Sequence, residues 1–516
     1  MNDIKNQLTL LDDKIMESAI LKSKKNKKNK KNKKNTNKHV DKDVLEEVNK
    51  DVKHKDTTVT KSTKSAKRKH KHKNINMKNY YDYGVGTANH GTNFTNDNVN
   101  DIDLVTIPSV NDYSVSNLIV THMHSILKKN DIAEINFQVA PQAGNVVPSG
   151  EAAFNANTIL SVYGLSPTRM VPGTSVLYGT GITVATVIAY HYPNLTSDFV
   201  TFCNYYGLPT NNFTVYTMKP YTPYSSGWGF ECCLDTQIIR SVAPGASILV
   251  VEALSASIID LAAAVQYAAS HANIVSMSWG LAESYFSGYS SIMQNYFYNS
   301  YESLFKFSST NNVVYVASSG DVTNVVNYPS SSQNVISVGG TTLTATTYNG
   351  PRNVEIPWYN SMAQGSGDGY SILAPKPVYQ MNVSGITGSS RCTPDLSLVG
   401  DPSTGFVVCF NGHPYTVGGT SLSAPLFSAL MAIANQYRKR NNSNSPMLSS
   451  SSLNNYKLQN YMYQTIYRGN NPQYSLNFFD IITGSDGTNN ASSGYDVASG
   501  LGSLYLPAFF QSLLNA

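Results

Sequence analysis

Between residues 179 and 343 the chain alternates two kinds of run, and that alternation limits the fold more than any other feature. Short apolar runs rich in β-branched residues fall at 183–190, 213–218, 247–252, 273–278, 313–317 and 335–338. Longer runs with helical spacing lie between them at 197–206, 229–242, 255–271 and 290–308. Gly207 and Pro209 close the first of these helices, and Pro244-Gly245 stops the second. Strands that are apolar throughout are buried on both faces. Alternation of strand and helix implies right-handed crossovers and a mostly parallel, doubly wound α/β sheet with helices on both faces. Ligands of such sheets bind outside the carboxyl ends of the strands, so chemistry is expected there.

Three groups of residues fit that location. The first is Gly418-Gly419-Thr420-Ser421-Leu422-Ser423-Ala424-Pro425, followed by the apolar run 426–434. Two glycines permit close backbone approach, and the run predicts a buried helix with Pro425 in its first turn. Ser421 then stands in the positive field of a helix N-terminus, which favours an attacking oxyanion, although an N-cap serine on a core helix has the same pattern. The second group is Glu231-Cys232-Cys233-Leu234-Asp235 in the helix 229–242. Spacing i, i+4 puts both carboxylates on one face of an otherwise apolar helix, where like charge and burial raise a pKa. The third is Asp321, four residues beyond the strand 313–317, which reads equally well as a turn aspartate.

Taken together with their flanks, these residues resemble the sedolisin family of serine-carboxyl peptidases, which have the subtilisin-like fold. The resemblance covers roughly residues 155–515. It includes GTGITVATVIAYHYPN (179–194), GWGFECCLDTQIIRSVAPGASILVVEA (227–253), VSMSWG (275–280), ASSGDVTNVVNYPSSSQNVISVGGTTL (317–343), PDLSLVGDPSTG (394–405) and GGTSLSAP (418–425). The resemblance implies endopeptidase activity on protein or peptide substrates, at acidic pH. Ser421 would be the nucleophile and Glu231 the general base. Asp235 would hydrogen-bond and orient Glu231, and a protonated Asp321 would donate to the oxyanion. It also implies one structural Ca2+, held by the side chains of Asp480 and Asp496 and by the carbonyls of Ile481, Ser492 and Gly494. The segment Ser278-Trp279-Gly280 would line the substrate cleft, with extended peptide pairing to that strand edge. His191 stands where many relatives carry an acid, and is expected at the rim of the crevice.

Charge divides the rest of the chain. Residues 1–78 hold 24 Lys and Arg against 10 Asp and Glu, whereas the whole chain holds 38 against 33. The stretch 22–38 is of low complexity and has no hydrophobic face, so residues 1–78 are expected to form a disordered basic tail. That tail suits nonspecific contact with nucleic-acid phosphates, without a base-reading module. Residues 79–150 read as a linker or a reduced prosegment with a helix near 116–129, and residues 151–516 as the peptidase domain. His90-Gly91-Thr92 is like a subtilisin histidine motif but has no helix after it. No apolar run reaches the ~20 residues of a membrane span. No signal peptide is visible. Five cysteines without a C-x-x-C pattern indicate neither a disulfide framework nor a zinc site. A monomer in intracellular or virion conditions is the expectation. The alternative is a catalytically idle structural or packaged protein that keeps the peptidase fold while its tail binds nucleic acid.

Overall fold

The computed structural model describes residues 103–105, 120–121, 124–127, 155–165, 176–220, 223–306, 312–344, 354–452, 455–468 and 473–516. The basic tail and His90 lie outside the described residues. A compact unit spans Tyr83–Ala516. Its centre is an eight-stranded sheet in which Phe213–Thr217, Ser247–Ala253, Thr183–Ala189, Ile274–Met277, Val314–Ser318 and Val335–Thr344 lie side by side and parallel. Val354–Pro357 closes one edge antiparallel, and Leu396–Val399 adds a further parallel pairing to Val335–Thr344. The mostly parallel, doubly wound sheet read from the alternation is the one observed.

Chain direction makes one gap in this sheet special. After Thr183–Ala189 the chain builds Phe213–Thr217 and Ser247–Ala253 on one side, then crosses to build Ile274–Met277 on the other. The strand order therefore switches between Thr183–Ala189 and Ile274–Met277, and a crevice opens at their carboxyl ends. Helix Ser226–Val242, here the acid helix, and helix Thr420–Asn441, here the serine helix, pack against each other. The serine helix also lies on Ile274–Met277, Val314–Ser318 and Val335–Thr344. Every residue from Gly227 to Val242 is buried, and so is every residue from Thr420 to Arg438. Each fully buried Leu, Ile or Phe contributes about 1.5–3 kcal/mol, so these helices are fixed by packing and not by propensity. The five cysteines are free and buried.

Two local expectations differ from the structure. Residues 120–121 and 124–127 are strands, not part of a helix over 116–129, because both pair antiparallel with distant strands. Such tertiary pairing overrides a weak local helical preference. Pro425 is the sixth residue of the serine helix and so lies in its second turn, because the helix begins at Thr420. Among the described residues, no helix is long and apolar enough to cross a membrane.

Candidate active site

The acid helix brings Glu231 and Asp235 beneath the sheet's switch point. Asp235 is wholly buried and bridges the two strands that border that gap. The hydroxyl of Thr186, from Thr183–Ala189, donates to Asp235 Oδ2. The hydroxyl of Ser278, one residue beyond Ile274–Met277, donates to Oδ1 at 2.7 Å. Burial raises the Asp235 pKa from 3.8 to about 7 against the easing effect of these two hydroxyls. Glu231 is also wholly buried, and neither of its carboxyl oxygens has a hydrogen-bond partner. The hydrogen bond expected from Asp235 to Glu231 is not made, since Asp235 spends its oxygens on Thr186 and Ser278. Burial, then the neighbouring charge of Asp235, push the Glu231 pKa well above the ordinary carboxylate range. Asp321 adds to that push, while the nearby hydroxyls of Ser421 and Ser278 ease it.

Ser421 is positioned by backbone geometry. Gly419 has φ +101°, a conformation that L side chains rarely adopt, and it caps the serine helix. A Cβ on Gly418 would lie 2.4 Å from the Pro402 nitrogen and 2.5 Å from the Gly400 carbonyl, so only glycine fits there. Ser421 Oγ is buried and donates to the Ser278 carbonyl at a long 3.4 Å. Asp321 reaches the same place from the end of Val314–Ser318. Its Oδ1 accepts from the backbone nitrogen of Thr420 at 2.8 Å and from the Thr420 hydroxyl at 2.8 Å. The Thr420 hydroxyl in turn accepts from the Gly320 nitrogen at 3.1 Å. The four residues singled out from the sequence thus meet in one buried cluster. Thr186, Ser278 and Thr420 were missed as supports, because hydroxyls inside apolar runs carry no spacing signal.

Nearby residues fall into place around this cluster. The Trp279 ring is buried, with Nε1 donating to the Val187 carbonyl at 2.9 Å. The side chain of His191 is 43% exposed, with Nδ1 2.8 Å from the buried carboxylate of Glu252. The Thr217 hydroxyl also donates to Glu252, at 2.7 Å.

A second carboxylate pair lies near the C-terminus. Asp480 accepts from the Gly494 nitrogen at 2.9 Å and 3.1 Å, and Asp496 accepts from the Ser492 nitrogen at 2.9 Å. Burial raises Asp496 to a pKa of about 6, with the charge of Asp480 adding to the rise. Among the described residues, no group of three or more His, Cys, Asp or Glu side chains could hold a metal.

Similarity to known proteins agrees with this geometry. Residues 179–501 match the subtilase family. Sedolisin from Pseudomonas sp. (strain 101) is 41% identical over 112 residues, which are 21% of this chain and 19% of that protein. Kumamolisin from Bacillus sp. (strain MN-32) is 31% identical over 225 residues, 40% of this chain and 39% of that protein. The matched segments therefore span less than half the length of these relatives. The solved structure of Pseudomonas sedolisin, a serine-carboxyl proteinase complexed with two molecules of pseudo-iodotyrostatin, superposes with a TM-score of 0.58 at 24% identity. That superposition covers 70% of this chain and 99% of the solved one, and it establishes the fold. With its mostly parallel, doubly wound sheet and the match over residues 179–501, the chain belongs to the subtilase family.

Proposed function

We propose that the protein is a serine-type endopeptidase that hydrolyses peptide bonds at acidic pH, with Ser421 as nucleophile and Glu231 as base. The observation that carries this reading is the Glu231 carboxyl, wholly buried, with the Ser421 and Ser278 hydroxyls bearing on it but no hydrogen bond of ordinary geometry at either oxygen. A buried carboxyl in that state costs stability, and proton exchange with a neighbouring hydroxyl gives it a use. Ser421 Oγ adds to the substrate carbonyl carbon while its proton passes to Glu231. Glu231 then gives that proton to the leaving amine. Water, deprotonated by Glu231, releases the ester and restores Ser421. Asp321, held in place by Thr420, donates to the tetrahedral oxyanion and does so only while protonated. The acids then share their protons: Glu231 must ionise in the reacting state while Asp321 stays neutral, and each charge opposes the next. That requirement favours acidic pH over alkaline pH.

Asp480 and Asp496, with the carbonyls of Ile481, Ser492 and Gly494, form an all-oxygen set suited to calcium. The fit rests on two carboxylates close enough for one to raise the other. Bound calcium would neutralise that pair and tie residues 480–481 to 492–496; it takes no part in the reaction.

The test is cleavage of a denatured protein, assayed from about pH 3 to 8. Ser421→Ala and Glu231→Gln should each lower the rate at least ~10³-fold. Undiminished digestion by Ser421→Ala would end the proposal.

A further inference from the structure

The loop that carries Asp321 is held from behind by a second pair of buried acids. The loop leaves Val314–Ser318, and the segment 365–369 runs beside it. The Gly367 nitrogen donates to the Gly320 carbonyl at 2.7 Å, and the Gly365 nitrogen to the Asp321 carbonyl at 3.2 Å. A Cβ on Gly367 would lie 2.7 Å from the Ser319 carbonyl oxygen, so the two backbones touch. Asp368 makes the next bond: its Oδ1 accepts from the Asn324 nitrogen at 2.7 Å. Asn324 has φ +57°, a left-handed turn three residues beyond Asp321. Asp368 is in turn tied to the loop 484–491. Asn489 Nδ2 donates to Asp368 Oδ2 and, at 3.5 Å, to Asp486 Oδ2. One amide thus gathers both carboxyls, which also hydrogen-bond each other. Asp486 Oδ1 accepts from the backbone nitrogens of Thr488 and Asn489, each at 2.7 Å.

Both acids are wholly buried, and among the described residues neither is paired with a cation. Around them, Arg391 bonds Asp395, Lys376 reaches the Ile386 carbonyl, and Asp321 faces Thr420. The Cys392 thiol, which feels Asp368, is pushed up by burial to about 11 and stays neutral. Two carboxylates side by side without a cation oppose each other, so the pair keeps one proton. Burial first, and the charge of Asp486 next, push Asp368 up to about 8.

We propose that Asp368 and Asp486 are positioning residues for the reaction: sharing one proton, they clamp the loop 320–324 so that Asp321 meets the oxyanion. The inference rests on the peptidase reading above. The pair acts through the backbone, which sets where the Asp321 carboxyl stands relative to Ser421, and not on the substrate. A donor displaced by about 1 Å can lose ~10²-fold in rate.

The experiment compares the full-length wild type with Asp368→Ala and Asp486→Asn at the wild-type pH optimum, on one peptide and on the peptide aldehyde of the same sequence. The aldehyde forms with Ser421 a tetrahedral adduct whose oxygen needs the same donor as the transition state. Asp368→Ala should lower kcat ~10–100-fold with KM changed less than about twofold, and the aldehyde Ki should rise as far as kcat falls. An apparent kcat that falls while Ki stays put reports only less folded enzyme, and overturns the inference. Asp486→Asn keeps its oxygen for Thr488 and Asn489 and offers Asp368 an amide proton at every pH, so kcat and Ki should stay within about threefold of the wild type. Placed in the Ser421→Ala chain, Asp486→Asn should also shrink the fall in denaturation midpoint between about pH 4.5 and 7.5, because Asp368 no longer faces a like charge. An unchanged fall overturns the shared proton, and does so even where Asp368→Ala fails to fold. An active wild type matched by Asp368→Ala overturns this inference alone. A wild type inert on the peptide overturns the peptidase reading and this inference with it.

Discussion

Asp321 offers the sharpest separation between a structural and a catalytic role. Its Oδ1 accepts from both the backbone nitrogen and the hydroxyl of Thr420, each at 2.8 Å, in a place where Thr420 has no exposed surface. Asp321→Ala strands both donors. Each orphaned buried donor costs about 1–3 kcal/mol, so the fold should lose roughly 2–6 kcal/mol. The same change removes the oxyanion donor, which is worth ~10²–10³ in rate. Asp321→Asn is different. Its amide oxygen keeps both bonds from Thr420, and its Nδ2 then stands where the other carboxyl oxygen was, as a donor that no pH can ionise. Stability should therefore change by less than about 1 kcal/mol. The rate should fall less than ~10-fold, and the alkaline side of the pH profile should move upward. Stability is read by denaturant unfolding in the Ser421→Ala background, which prevents self-digestion. Rate is read as kcat/KM on a peptide across pH. Equal rate losses for Ala and Asn, with no movement of the alkaline side, would refute oxyanion donation by Asp321.

Further outcomes follow from the same geometry. Asp235 is the largest cause after burial of the raised Glu231 pKa, so Asp235→Asn should shift the acidic side of the kcat/KM profile to lower pH; an unmoved acidic side would contradict the coupling. Burial raises the pKa of Glu231, Asp235, Glu283, Glu302 and Asp368, with Asp235 reaching about 7 and Asp368 about 8. A folded state that holds protons longer than the unfolded chain is most stable below the unfolded pKa near 4, and loses that stability as pH climbs through the folded values. The Ser421→Ala protein should therefore have a higher denaturation midpoint at pH 4.5 than at pH 7.5, at constant calcium; the reverse order would refute the sign. Chelation of calcium should lower Tm, by the equivalent of about 2.7 kcal/mol if the ion had been present at a hundredfold Kd. Asp496→Asn should abolish the response to chelator, and a response that persists would move the ion elsewhere.

Much of this was legible in the sequence, for identifiable reasons. Strands such as Thr183–Ala189 and Ser247–Ala253 are buried on both faces, so their residue type alone marks them. The acid helix was legible because Gly229–Val242 has apolar spacing and a hard stop at Pro244-Gly245. Val335–Thr344 was read as only four residues, because Gly339-Gly340 look like a break. Those glycines instead make room: a Cβ on Gly339 would lie 2.5 Å from Ser397 Oγ, and one on Gly340 would lie 3.0 Å from the Trp358 ring. Pairing across long sequence distances was beyond local pattern, which is why 120–127 was misread. The same holds for Thr186 and Ser278, which lie 92 positions apart in the sequence and face Asp235 together only once the neighbouring strands have paired.

Glu231 shows what separates a functional orphan from a structural one. Another buried acid, Glu302, also has an oxygen without a partner, yet its Oε1 accepts from Ser332 at 2.7 Å and from Asn334. Glu302 is thus half satisfied and anchors the turn at 332–334. Glu231 makes no hydrogen bond of ordinary geometry at either oxygen, and the hydroxyls that bear on it belong to Ser421 and Ser278. Nothing in the packing of the acid helix needs a carboxyl there, because its neighbours Phe230, Leu234 and Ile238 are apolar and buried. If the carboxyl is present for chemistry alone, removing it should strengthen the fold. Glu231→Met keeps the length of the side chain, removes an unpaired buried acid, and relieves Asp235 of a like-charged neighbour. At pH 7.5 it should be more stable than its parent by about 1–3 kcal/mol, and it should be inert on every peptide. The gain should shrink as pH falls below the unfolded pKa near 4, where Glu231 becomes neutral in both folded and unfolded chains. A Glu231→Met protein that is less stable than its parent at pH 7.5 would show that the carboxyl holds the fold together, and would remove the observation on which the peptidase reading stands.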